Sequence, residues 1–192
     1  MTRLKFAVVC SSNMNRSMEA HHLLTKKGFN VLSYGSGAQV KLPGPTPDKP
    51  NIYEFETTYE SILMDLKSKD KELYTQNGIV HMLERNRRIK QHPDRFQLCD
   101  KEFDVVICLE ERVYDQVIEF FLERDPTHGQ CVHIINLDIQ DNHEEATIGA
   151  FLICQLCEAL EQAEDVDNEI DELLTDFEAK CNRSILHMCS FY

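Results

Sequence analysis

This chain has no run of apolar residues approaching the roughly 18 that would span a membrane, and no membrane partner is expected. It is also short of basic charge, with 20 Lys and Arg against 33 Asp and Glu and a formal net charge of -13. Phosphate backbones are bound by a surplus of Lys and Arg, so a direct nucleic-acid partner is not expected either. The start, Met1-Thr2-Arg3-Leu4-Lys5, lacks a secretory leader's apolar core and leads into a strand. The eight cysteines are therefore expected as reduced thiols, not as a disulfide framework. Only Cys154-Gln155-Leu156-Cys157 has redox or zinc spacing. It lies in the apolar stripe Phe151, Leu152, Leu156, Leu160 and lacks a second ligand pair, so it reads as helix packing. No metal and no cofactor are expected, and residues 1–192 read as one domain.

Glycine is absent from Cys10-Ser11-Ser12-Asn13-Met14-Asn15-Arg16-Ser17, and so is a Gly-Lys-Ser/Thr ending, which rules out a Walker loop. What the segment does have is a cysteine and an arginine separated by five residues, directly after the apolar run Phe6-Ala7-Val8-Val9. If that run is a strand and a helix follows Arg16, the intervening backbone N–H groups converge and add to the positive end of the helix dipole. Such a nest holds a dianion without a metal. The planar fork of Arg16 can pair two phosphate oxygens and never loses its charge. The same field favours a thiolate over a thiol, which makes Cys10 a candidate nucleophile, with Ser17 placed to donate its hydroxyl to the sulfur. Residues Ser11, Ser12, Asn13, Met14, Asn15, Arg16 and Ser17 are the candidate phosphate cradle.

The remaining sequence alternates strand and helix. Strands are predicted over Lys5 to Val9, Asn30 to Tyr34, Val105 to Leu109 and Val132 to Asn136. Helices are predicted over Met18 to Lys27, Thr58 to Lys69, Asp70 to Arg88 with a turn-like Gln76-Asn77-Gly78, Glu111 to Glu123, Ala146 to Ala163 and Asp167 to Lys180. This order makes a mostly parallel sheet, to which Ile185 to Tyr192 can add an edge. In such sheets ligands sit beyond the carboxyl ends of the strands, where Cys10 lies. Gly35-Ser36-Gly37 lacks the third glycine of a dinucleotide fingerprint. Lys41 to Pro50 is a proline-rich loop, stiff enough to wall a groove. The acidic stretch from Glu161 to Glu178 reads as the solvated face of an amphipathic helix, and Arg85-Asn86-Arg87-Arg88-Ile89-Lys90 as an exposed helix end.

A serine leaving as alkoxide must be protonated as the P–O bond breaks, which calls for a general acid from another strand's carboxyl end. The last parallel strand delivers Asp138 and Asp141. Asp141 lies far enough along the loop to reach over the cradle and is preferred, with Asp138 as the competitor.

Several strings then match something specific: Cys10 to Asn13, Arg16 to His21, Val40 to Pro45, Lys69 to Gly78, Glu110 to Asp115 and Asp138 to Ala146. Together they resemble the Ssu-seventy-two family, eukaryotic phosphatases of the RNA polymerase II C-terminal domain, and the likeness runs to the closing Phe191-Tyr192. The resemblance implies a cysteine-dependent phosphoserine phosphatase, hence a hydrolase, acting on the polymerase's heptad repeats at position five, with position seven as a second candidate. It implies a three-layer α/β/α fold like that of the low-molecular-weight tyrosine phosphatases, with added helices and a C-terminal edge strand. The family's nucleophile, phosphate-binding arginine and general acid fall on Cys10, Arg16 and Asp141. The family takes the serine-proline bond in its cis form, so prolyl isomerases would govern substrate supply. Its scaffold partner is symplekin of the pre-mRNA cleavage and polyadenylation machinery, which places the activity in the nucleus, in transcription termination and mRNA processing. Lys41, Leu42, Pro43, Gly44 and Pro45 are the expected peptide contacts.

The loop also resembles that of low-molecular-weight tyrosine phosphatases, which usually carry a second, protective cysteine where Asn15 stands here. Their acid is followed by proline, whereas Asp141 precedes Asn142. Two other readings are a thiol-based arsenate reductase, for which Cys99 and Cys108 are the available resolving thiols, and a non-catalytic scaffold of the RNA-processing complex.

Overall fold

Along β1 (Lys5–Cys10) every residue from Phe6 onward is buried, and the side chains divide by parity between two cores, as the two-residue period of a strand requires. The computed structural model describes residues 3–192. Phe6, Val8 and Cys10 face one cluster, with Leu24 of α1 (Arg16–Lys26), Leu156 of α5 (His143–Gln162) and Leu174 of α6 (Val166–Cys181). Ala7 and Val9 face the other, with Val117 and Phe121 of α4 (Glu111–Leu122). Helices on both faces make the α/β/α sandwich expected from the sequence, and strands covered on both sides must be apolar throughout.

The sheet order is β2-β1-β5-β6-β7. Here β2 is Asn30–Gly35, β5 Val105–Cys108, β6 Cys131–Leu137 and β7 Ile185–Phe191. The first four strands are parallel, and β7 closes the edge antiparallel to β6. The three parallel strands that carry site loops at their carboxyl ends are therefore neighbours, β1 leading to the cysteine loop, β5 to Glu110 and β6 to Asp141.

Three expectations need correction. The proline-rich segment is the tip of a hairpin, because β3 (Val40–Leu42) pairs antiparallel with β4 (Asn51–Tyr53). The prolines between them hide the strand period from the sequence. The break expected after Lys69 is a kink inside one helix, α2 (Tyr59–Gln76), at Asp70 with φ -162° and ψ 88°. The full break comes at Gly78, whose φ of +82° starts α3 (Ile79–Ile89). Phe151 leaves the predicted core stripe and is exposed, while Cys154 and Cys157 are buried in the α5 core as packing residues.

Of the acidic helix, Ile170, Leu174 and Phe177 are buried and the carboxylates lie outward. Among the described residues no helix is long and apolar enough to cross a membrane. The thiols are not all apart. Six cysteines are free, whereas Cys131 and Cys189 come within sulfur bonding distance as a disulfide pair, their Cα atoms 6.5 Å apart. Antiparallel pairing of β6 with β7, a contact sequence alone does not give, brings them together.

Candidate active site

The loop from Cys10 to Arg16 is held from outside through its carbonyl oxygens. Cys10 O accepts from Ser36 N–H at 2.9 Å, Ser11 O from Gly37 N–H at 3.0 Å and Asn15 O from Glu19 N–H at 2.9 Å. Asn13 O accepts from the Tyr59 hydroxyl at 2.7 Å, and Met14 O from Asn86 Nδ2 at 2.8 Å and Arg85 Nη2 at 3.1 Å. In a trans peptide the C=O and the following N–H point in opposite directions. Anchoring these carbonyls outward therefore turns the N–H groups of Ser11, Ser12, Met14 and Asn15 toward the inside of the loop, the arrangement an anion nest requires.

The tight turn needs one left-handed residue. Asn13 takes it, with φ 53°, a conformation that asparagine tolerates better than most side chains. Its amide Nδ2 donates to Ser17 Oγ at 3.0 Å and Ser33 Oγ at 3.1 Å. The turn Gly35-Ser36-Gly37 lets the backbone of β2 lie close against the loop, since a Cβ on Gly35 would come within 2.8 Å of Ser11 O and one on Gly37 within 3.0 Å. Arg85 and Asn86, read from the sequence as an exposed helix end, are props of the loop instead, Asn86 buried and Arg85 half-buried and ion-paired to Glu19.

Cys10 is only 3% exposed and its Sγ lies 3.0 Å from Ser17 Oγ. It stands on the floor of a cavity of about 280 Å³ lined also by Ser11, Ser12, Met14, Asn15, Lys41, Leu42, Pro43 and Asp141. Asn13, Arg16 and Ser17 lie buried around the loop rather than on the cavity wall, and Gly44 and Pro45 stand outside it. Asn77, Ile79 and Met82, from the junction of α2 and α3, and Asn142 and His143 complete the lining. Of these, Asn77 leaves a mark in the sequence as part of the turn-like Gln76-Asn77-Gly78, and Asn142 and His143 fall within the Asp138 to Ala146 string.

Arg16 is buried, and its fork is not wholly free for phosphate. Nη1 donates to Leu109 O at 3.3 Å and Ile139 O at 2.8 Å, and Nη2 donates to Glu110 Oε2 at 2.7 Å. Its Nε–H has no hydrogen-bond partner and faces Asp141 Oδ1 at 3.6 Å. The bidentate reading thus narrows to the Nε–H and the remaining Nη2 hydrogen. Burial works against the charge of Arg16, but Cys10, Asp141 and Glu110 together outweigh it and hold the guanidinium above its ordinary pKa. Asp141 is exposed, and its Oδ1 accepts from Asn15 Nδ2 at 3.0 Å. Asp138 does not line the cysteine cavity, and its Oδ1 accepts from Asn136 Nδ2 at 3.0 Å. Neither Cys99 nor Cys108 lines the cavity.

Beneath the loop, His21 Nδ1 lies 2.8 Å from Ser33 Oγ, the same hydroxyl that Asn13 holds. Burial, with Lys90 and His22 nearby, lowers the His21 pKa to about 4 from its ordinary 6.5. A histidine with a lowered folded pKa stabilises the protein fully above its unfolded pKa and loses that contribution as pH falls toward the folded value. We therefore expect roughly 3 kcal/mol of stability to be lost between about pH 6.5 and 4 from this residue. Denaturant midpoints across that range should show a shallower acid slope in His21→Asn. Some slope should remain, because His22 and His187 are shifted in the same direction.

A cysteine at the floor of an amide-lined loop, with a buried arginine and a carboxylate beside it and a parallel sheet behind, defines a cysteine-based phosphatase. The chain belongs to the Ssu72 family, whose model, described as Ssu72-like protein, matches residues 4–192. The RNA polymerase II C-terminal domain phosphatase SSU72 of Xenopus laevis is 64% identical over 189 residues, 98% of this chain and 97% of that one. Its Homo sapiens counterpart is 61% identical over the same length and shares. The crystal structure of D. melanogaster Ssu72 with Symplekin, bound to a cis peptidomimetic CTD peptide phosphorylated on serine 5, matches with a TM-score of 0.97. Sequence identity there is 53%, over 100% of both chains.

Proposed function

We propose that residues 1–192 act as one phosphoserine phosphatase domain that dephosphorylates the RNA polymerase II C-terminal domain at heptad position five, with position seven as the second site. The observation that carries this reading is Cys10 Sγ, the turned-in amides and Asp141 meeting in one cavity of about 280 Å³, with Arg16 against its acid. Cys10 thiolate attacks phosphorus while the loop amides and Arg16 Nε–H hold the developing charge. The P–O bond to serine breaks and Asp141 gives its proton to the departing oxygen. Water then attacks the phosphocysteine and loses a proton to Asp141. Cys10 leaves as thiolate, stabilised by the Ser17 hydroxyl 3.0 Å away.

Leu42, Pro43, Ile79 and Met82 give the cavity apolar walls, suited to a proline following the phosphoserine. The peptide bound in the Drosophila relative supports a cis bond there and a symplekin partner. Nuclear action in pre-mRNA 3′-end processing follows from that substrate and partner. Among the described residues Cys10 is the only cysteine on the cavity, which disfavours the arsenate reductase reading, since a resolving thiol must reach the nucleophile.

Heptad peptides carrying a single phosphoserine test the proposal. With enzyme in excess, we expect a fast phase equal to the cis fraction, roughly 10–30% of the peptide, then a phase limited by isomerisation over tens to hundreds of seconds. Added prolyl isomerase should merge the two phases. Monophasic hydrolysis indifferent to isomerase refutes the cis requirement, and no hydrolysis of any phosphoserine heptad refutes the function.

A further inference from the structure

At the far end of the sheet from Cys10, where β6 begins and β7 ends, two thiols and an imidazole converge. The register opposes His133 to Cys189 and leaves Cys131 diagonal to Cys189 on the same face. The Cys131 Sγ, Cys189 Sγ and His133 ring nitrogen all lie within 4.8 Å of one another. We propose that Cys131, Cys189 and His133 form a binding site for a thiophilic divalent cation, zinc by preference, that clips the edge strand β7 to β6.

Thiolate and imidazole donors together select zinc over magnesium or calcium. A disulfide would account for the two sulfurs; His133 Nε2, partnered by Asp167, adds a nitrogen donor beside them. His133 is buried at 4% exposure, and its Nε2 lies 4.0 Å from Cys131 Sγ and 2.8 Å from Asp167 Oδ1. The Asp167 carboxylate on α6 therefore borders the fourth position of a tetrahedron. The other ring nitrogen is backed as a metal-bound histidine needs to be. His133 Nδ1 lies 3.1 Å from His187 Nε2, and His187 Nδ1 lies 3.6 Å from Asp171 Oδ1. With the cation on Nε2, Nδ1–H donates to His187, and the remaining His187 proton faces Asp171.

The cation takes the reduced pair, and the two thiol protons leave to solvent. The sequence argues for no metal because its cysteine spacing offers a single close pair. The pair used here is 58 residues apart and meets only through strand pairing. Lying opposite the strand ends that carry the phosphate loop, the cation fastens an edge and takes no part in phosphate chemistry.

The 192-residue chain, reduced with a phosphine and stripped of metal, tests this by titration with Co²⁺ followed by Zn²⁺. Expected are one equivalent of Co²⁺ per chain, with tetrahedral visible bands and a thiolate charge-transfer band, displacement by Zn²⁺ and a raised Tm. Cys131→Ser and Cys189→Ser should each lose the charge-transfer band while keeping phosphatase activity, and Cys10→Ser should keep the band. His187→Asn should bind roughly 10–100-fold more weakly. In the unaltered protein, Zn²⁺ should shield Cys131 and Cys189 from alkylation and leave Cys99 and Cys181 reactive. Bands that survive Cys131→Ser, bands lost in Cys10→Ser, or no bands at equimolar Co²⁺ overturn the proposal. So does a Cys131–Cys189 disulfide that persists in a glutathione buffer at cytosolic poise.

Discussion

Replacing Cys10 with Ser is expected to reduce turnover of a phosphoserine heptad peptide by roughly 10⁴-fold or more, a barrier increase of at least about 5.4 kcal/mol. The exchange is nearly isosteric, and the residue sits at the end of β1, held by backbone pairing rather than by its sulfur. The unfolding midpoint should therefore stay close to that of the unaltered protein. What is lost is the nucleophile. A hydroxyl beside Ser17 has no base within the loop to ionise it, and no phosphoenzyme can form. Acid quenching followed by mass spectrometry should find phosphate on residue 10 of the unaltered enzyme and none on the variant. Residual turnover near the original rate would refute the covalent route.

The second large effect is expected at Asp141. Asp141→Asn keeps an oxygen for Asn15 Nδ2, which now donates at 3.0 Å, so the loop stays in place while the proton is gone. General acid catalysis is worth about 10² to 10⁴ in rate, and kcat on phosphoserine peptides should fall within that range. A p-nitrophenyl phosphate, whose leaving group departs without protonation, should lose far less. Asp138→Asn should change neither substrate much, since Asp138 does not line the cavity. An equal loss on both substrates would mean that Asp141 positions Arg16 instead of delivering a proton.

Most of this chemistry can be read from the chain because it is local. Cys10, Asn13, Arg16 and Ser17 fall within eight residues, and a strand before and a helix after suffice to fold them into a cradle. Asp141 can be preferred over Asp138 because loop length beyond a strand sets reach. Glu110, Tyr59, Arg85 and Asn86 cannot be read in this way. Each meets the loop only after helices pack, and Arg85-Asn86 carry the composition of a solvent-facing helix end although they prop the Met14 carbonyl. The β3–β4 hairpin is masked by its prolines, and the kink at Asp70 reads as a boundary because an acidic, lysine-rich stretch suits either. Cys131, His133 and Cys189 depend on cross-strand register, which a sequence does not display.

A serine side chain is short, and the cysteine it must meet is 3% exposed on the floor of the cavity. To deliver phosphorus that far, the peptide's own main chain is expected to descend between β3 and the start of α3, which line the cavity with Lys41 and Leu42 and with Ile79 and Met82. Phosphotyrosine, with a long rigid ring, can touch bottom while its backbone stays at the rim. The recess is thus expected to work as a gauge of polypeptide curvature, favouring a chain already bent at the right bond over a straight one carrying the same phosphate.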